Sequence, residues 1–153
     1  MRRPDVFSLE EYQALAAFRH ALRAFLRFSE AAAEAVGLTP RQYQAMLAIK
    51  GTPTGEPLAI GDLAAQLQVR HHSAVGLVDR LVEQGLAKRD VAPEDRRRVQ
   101  LSLTPRGERL LQQLASAHRA ELRELGPRLK TVLAQVGARP DKARGRAGPR
   151  GDR

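Results

Sequence analysis

At 153 residues, with 42% hydrophobic and 28% charged content, the chain has the length and mix of one globular domain. Its net charge of +9 points to a polyanionic partner, although 22 Arg against 4 Lys is also what a GC-rich coding sequence would give. Zero cysteines exclude disulfides, thiolate metal sites and thiol redox chemistry. No apolar run reaches the roughly 18 residues of a membrane span. The opening MRRPDVFSLEEY lacks the apolar core of a signal peptide, so a cytoplasmic protein without a membrane partner is expected.

From Glu10 to Val36, the residues Tyr12, Leu15, Phe18, Leu22, Phe25 and Leu26 recur at helical spacing, and Gly37 supplies a stop. Thr39-Pro40-Arg41-Gln42 is a capping-box pattern with proline at the first helical position. It opens a second helix through Tyr43, Met46 and Leu47 to Gly51, and TPTGEP (52–57) then reads as a loop. Two helices in tandem follow. The first carries Leu63, Ala64 and Leu67, and the second carries Ala74, Leu77, Val78 and Leu81, with a break near Gln68 to Arg70. Such a pair, joined by about 3 or 4 residues, is the pattern of a helix-turn-helix.

After Gly85 the period changes to two. Leu86 to Val91 and Val99 to Leu103 read as strands, the second with Val99, Leu101 and Leu103 on one face. Thr104-Pro105 opens a further helix carrying Leu110, Leu111, Leu114 and Leu122. Gly126-Pro127 is expected to interrupt or kink it, before a last segment with Leu129, Val132, Leu133 and Val136. Residues 137–153 hold six basic and two acidic residues and no apolar stripe, so a disordered basic tail contributing +4 is predicted.

A helix-turn-helix followed by a two-stranded hairpin is a winged helix; the predicted fold is mostly α with a small β-hairpin wing. Its second helix would enter the major groove, turning Arg70, His71, His72, Val75, Gly76, Asp79 and Arg80 away from the buried face. The hairpin tip, PEDRRR, would reach the backbone or minor groove with its arginines, and Asp95 is placed to pair with a neighbouring Arg and fix its direction. A charged tip also suits any solvated hairpin. Leu58 to Thr104 holds seven basic and six acidic residues, so binding must come from where the arginines sit.

The stretches IGDLAAQL, LVDRLVEQGLAKR and PEDRRRVQLSLTPRGERLL resemble the MarR family of bacterial transcriptional regulators, over about residues 10–136. Asp95, Arg97, the Thr104 helix start and Gly107 fall at the spacing of that family's wing motif. The resemblance implies a winged-helix homodimer on short palindromic operators of double-stranded DNA, commonly a repressor released by a small-molecule ligand. One domain over 1–136 is expected, with dimerisation helices at about 10–37 and 104–136 around a DNA-binding lobe at about 39–103. DNA contacts are assigned to Arg70, His71, His72, Ser73, Val75, Gly76 and Arg80 of the recognition helix and to Arg96 and Arg97 of the wing, supported by Asp95. Two departures stand out. His72, Ser73, Val75 and Gly76 replace the family's usual small or polar residues and frequent arginine, and Arg70 stands where a Ser or Asp cap is common.

All four phenylalanines, Phe7, Phe18, Phe25 and Phe28, precede the lobe and need a surface outside it; helices from both chain ends packing on a second copy would bury them. The family's effector pocket, between the dimerisation helices and the lobe, would fall near His20, Phe25, Tyr43, Met46 and His118, for a small aromatic or apolar ligand. The same residues would serve as plain core. His71 and His72 are neighbours that do not share a helix face, and no HExxH or cysteine accompanies them, so neither metal nor cofactor is expected. Without GxSxG, P-loop, GxGxxG or a cysteine nucleophile, no enzyme is expected. A winged helix used only for protein docking is the alternative, which an arginine tip disfavours.

Overall fold

The computed structural model describes residues 7–137; the predicted tail lies outside them, apart from Gly137 at the end of the last helix. Helix α1 (Leu9–Ala35) starts at a capping box, in which Ser8 Oγ accepts from the Glu11 amide and Glu11 Oε2 accepts from that of Ser8. It ends at Gly37, whose φ of +80° turns the chain into α2 (Pro40–Lys50). There Thr39 and Gln42 repeat the reciprocal cap, at 3.2 and 2.8 Å.

The sheet has a third strand beside the two that the sequence predicts. Leu58 and Ala59 form β1, antiparallel to β3 with Leu58 opposite Leu101. Two residues are too few to show an alternating pattern, and they run directly into α3 (Ile60–Leu67). Gln68, in the left-handed conformation at φ 53°, then breaks the chain before α4 (His71–Glu83). Strands β2 (Ala87–Val91) and β3 (Val99–Leu103) pair antiparallel from Ala87–Leu103 to Val91–Val99, giving the order β1-β3-β2. One face of this small sheet lies on α2, α3 and α4, where Met46, Leu63, Val78, Leu81 and Leu101 are almost fully buried. Removing these side chains from water is the main stabilising contribution to the lobe.

The last helix, α5 (Pro105–Gly137), is continuous, which corrects the expected interruption at Gly126-Pro127. Proline there leaves the Arg123 carbonyl without its helical partner. The apolar spacing nevertheless keeps phase across it, since Leu125, Leu129, Val132 and Val136 are all half-buried. Packing therefore holds the helix through the proline, and Thr131 Oγ1 adds a bond to the Pro127 carbonyl at 3.1 Å. Helix α5 lies along α1, so the two chain ends bracket the lobe. This also revises the account of the phenylalanines: the Phe25 and Phe28 rings meet His118 of the same chain, at centroid distances of 5.9 and 5.4 Å.

Candidate nucleic-acid interface

The face of α4 follows from its sequence. Ala74, Leu77, Val78 and Leu81 are buried, at the spacing of one helical stripe. Arg70, His71, His72, Asp79 and Arg80 are exposed, as the pattern required, whereas Ser73, Val75 and Gly76 are half-buried. Arg70 occupies the N-cap with extended backbone and gives no side-chain cap. Its carbonyl accepts from Ser73 and Ala74, while the amides of His71 and His72 find no acceptor among the described residues. The solvent-facing start of α4 thus combines an arginine, two imidazoles and open backbone donors.

The wing turn spans residues 92–98. Ala92 N–H donates to the Arg98 carbonyl and Arg98 N–H to the Asp95 carbonyl, each at 2.9 Å. Asp95 Oδ1 accepts the Arg97 amide at 2.9 Å. The expected pairing of Asp95 with an arginine side chain is not formed; no ion pair among the described residues includes it. The carboxylate instead closes a local turn on the backbone two residues ahead, a contact that orders no long side chain. Arg96, Arg97 and Arg98 stay exposed and free of carboxylates among the described residues.

Two contacts tie this apparatus together that the sequence pattern did not announce. Asp79 of α4 pairs with Arg89 of β2, across the turn at Gly85. Their separation of ten residues follows no helical or strand period, so only the folded turn brings them together. At the other end, Thr104 joins β3 to α5 and to the exit of α4. Its hydroxyl donates to the Gly85 carbonyl at 2.6 Å and accepts the Gly107 amide at 3.0 Å, while its own amide donates to the Leu86 carbonyl at 3.0 Å. Gly107 is packed so closely that a Cβ there would stand 2.0 Å from the Leu86 oxygen.

Of the five residues assigned to an effector pocket, three meet. The His118 imidazole stacks on Tyr43 at 4.6 Å with Phe25 edge-on beside it. Its Nδ1 lies 2.7 Å from the Leu114 carbonyl, which can only accept, so Nδ1 carries the proton; Nε2 lies 2.8 Å from the Ser29 hydroxyl. Burial raises the pKa of the Tyr43 phenol above 10.0. Met46 belongs to the lobe core, with no exposed surface, and His20 is exposed on α1. A cleft of about 280 Å³ opens elsewhere, lined by Leu38, Gln84, Leu86, Arg106 and Leu110 among others, and by none of the five.

Residues 36–98, from the end of α1 through the wing turn, match the model of the MarR family. A candidate transcriptional regulatory protein for the hcr operon of Thauera aromatica is 35% identical over 106 residues. The match covers 69% of this chain, and the chain spans 60% of that protein's length. A mutant of S. aureus MepR solved on an oligodeoxyribonucleotide superposes with a TM-score of 0.60 at 22% identity, covering 82% of this chain and 84% of that one. CouR of Rhodococcus jostii RHA1, solved with p-coumaroyl-CoA, gives 0.60 at 22% identity over 80% of this chain and 92% of its own. The family is one of transcriptional regulators, not a class of enzymes. Over residues 36–98, which carry the winged helix-turn-helix, the chain is therefore similar to the MarR family of regulators.

Proposed function

We propose that the chain is a sequence-specific DNA-binding regulator that acts as a two-fold dimer on a palindromic operator, as a repressor released by a small aromatic or apolar effector. The observation that carries this reading is the pairing, on one lobe, of an open-ended helix α4 with a wing tip of three unpaired arginines. Helix α4 fits the major groove, where Arg70, His71, His72, Ser73, Val75, Gly76 and Arg80 offer side chains to phosphates and base edges. The backbone amides at its start suit a phosphate oxygen. Arg97 fits the minor groove and Arg96 a phosphate beside it, because a narrow minor groove concentrates negative potential.

The MepR relative on DNA supports the same docking, and CouR with its thioester supports an effector. In this chain the effector site is assigned to the aromatic cluster of Phe25, Tyr43 and His118, where α1 and α5 meet α2. Two lobes with recognition helices roughly 34 Å apart would read half-sites one helical turn apart. The test is selection from randomised duplexes by the full chain, followed by footprinting. A palindromic consensus with major-groove protection flanked by minor-groove protection is expected. Recovery of no consensus would leave the protein-docking alternative in its place.

A further inference from the structure

We infer that the Asp79–Arg89 ion pair positions the wing against the recognition helix, so that Arg97 and α4 reach the duplex together. The inference rests on the DNA-binding reading above. Asp79 lies on the exposed side of α4 at helical spacing from His72, Val75 and Gly76, the side that would face phosphates. A free carboxylate there would repel the duplex. Its partner removes that repulsion and turns the charge toward the sheet.

Arg89 sits on β2 opposite Leu101, on the strand face it shares with Ala87, and its side chain is only 31% exposed. The guanidinium therefore comes from the core side of the sheet to meet the helix. The other ion pairs among the described residues, Lys50–Glu108 and Lys88–Asp90, do not join α4 to the wing. Half-exposed pairs add little to folding stability, so the contribution of this one is geometric.

The geometry works as a lever. Arg89 stands three residues before Ala92, where the wing turn begins, which is about 10 Å of strand. A swing of about 10° at that brace moves the tip by about 2 Å, more than the distance range of a hydrogen bond tolerates. Without the pair, the hairpin keeps its internal ladder and its turn, but its angle to α4 is no longer held from this side.

The test uses a duplex that the wild-type chain selects from a randomised pool; if it selects none, the DNA-binding reading itself fails first. Arg97→Ala is then measured in three backgrounds, wild type, Asp79→Asn and Arg89→Gln, at salt low enough for every variant to bind measurably. In wild type it should weaken binding by about 5- to 150-fold. In both other backgrounds the factor should fall below about threefold, because a wing that is not held gains little from its arginine. Circular dichroism and melting should show all backgrounds folded, since both substituted side chains are partly exposed. An undiminished Arg97 factor in either background overturns the brace.

Discussion

Asp95 and Arg97 divide the work of the wing tip. The Asp95 carboxylate spends itself on the Arg97 amide, leaving the Arg97 guanidinium free to extend from the hairpin. Arg97→Ala should therefore weaken operator binding by about 1–3 kcal/mol while leaving the melting temperature unchanged. Titration of one labelled duplex at fixed salt checks this, and wild-type affinity would reduce the tip to a solvated turn. Asp95→Ala should act in the same direction by a smaller factor, through a looser turn. Tyr43 gives a prediction of a different kind. Its raised phenol pKa means the native state holds that proton more tightly than the unfolded chain. The resulting stability is present in full below about pH 10 and is lost as pH rises through the raised native value. Urea midpoints near pH 8 and about pH 11 should fall less steeply for Tyr43→Phe than for wild type. Equal slopes would place the alkaline loss elsewhere.

Among the elements, the joint where β3 meets α5 leaves no room for an added Cβ at Gly107. Gly107→Ala would drive a methyl group into the Leu86 carbonyl, and both partners are backbone. Either α5 or the exit of α4 must move, at a cost of about 3 kcal/mol. Chemical denaturation should show that loss, together with weaker operator binding; a stability within about 0.5 kcal/mol of wild type would mean the joint yields easily. Helix starts were legible from sequence because their signals are local. Thr39 with Gln42 forms the cap its spacing announces, and Ser8 with Glu11 forms a second of the same kind that the pattern of α1 had not included. The stripe of α4 and the alternation of β3 were legible for the same reason. Strand β1 was not, because a two-residue strand exists only through its partner Leu101. The continuity of α5 through Pro127 was not legible either, because proline's cost is local and the apolar stripe that outweighs it is tertiary. In the candidate site, the exposed positions of α4 followed from periodicity, and the tip arginines from their place in the turn between two strands. Asp79–Arg89 and the true partner of Asp95 depended on a folded turn and on the reach of one short side chain.

For the whole molecule, the decisive feature is apolar surface left uncovered. Leu9, Tyr12, Leu15, Leu22 and Leu26 of α1 and Leu122 and Leu133 of α5 are all exposed, in two helices already packed on each other. Exposed apolar side chains in such number on two helices are what a second copy would cover. Light scattering at micromolar concentration should give about twice 16.9 kDa. Leu22→Glu with Leu26→Glu should shift the mass toward one chain while the lobe, whose core contains neither residue, stays folded. Operator affinity should fall by more than tenfold in that variant, because one lobe reads only one half-site. A monomeric wild type would remove the two-fold argument.

The bracketing of the lobe by α1 and α5 also dictates an order of events at the ribosome. Ser29 meets His118 across 89 positions of sequence, so α1 emerges long before the helix that covers it. At about 5–20 residues per second, that interval is about 4–18 s. The last strand of the lobe, β3, ends at Leu103, so the lobe is complete in sequence only about 1–3 s before His118 is added. The flank of α1 that α5 covers stays open until α5 has emerged, and a chain that stalls before α5 carries that flank into the cell with nothing to bury it. Such truncated chains are expected to be substrates for chaperones and proteases, and any surface built from α1 and α5 together exists only once α5 has been made.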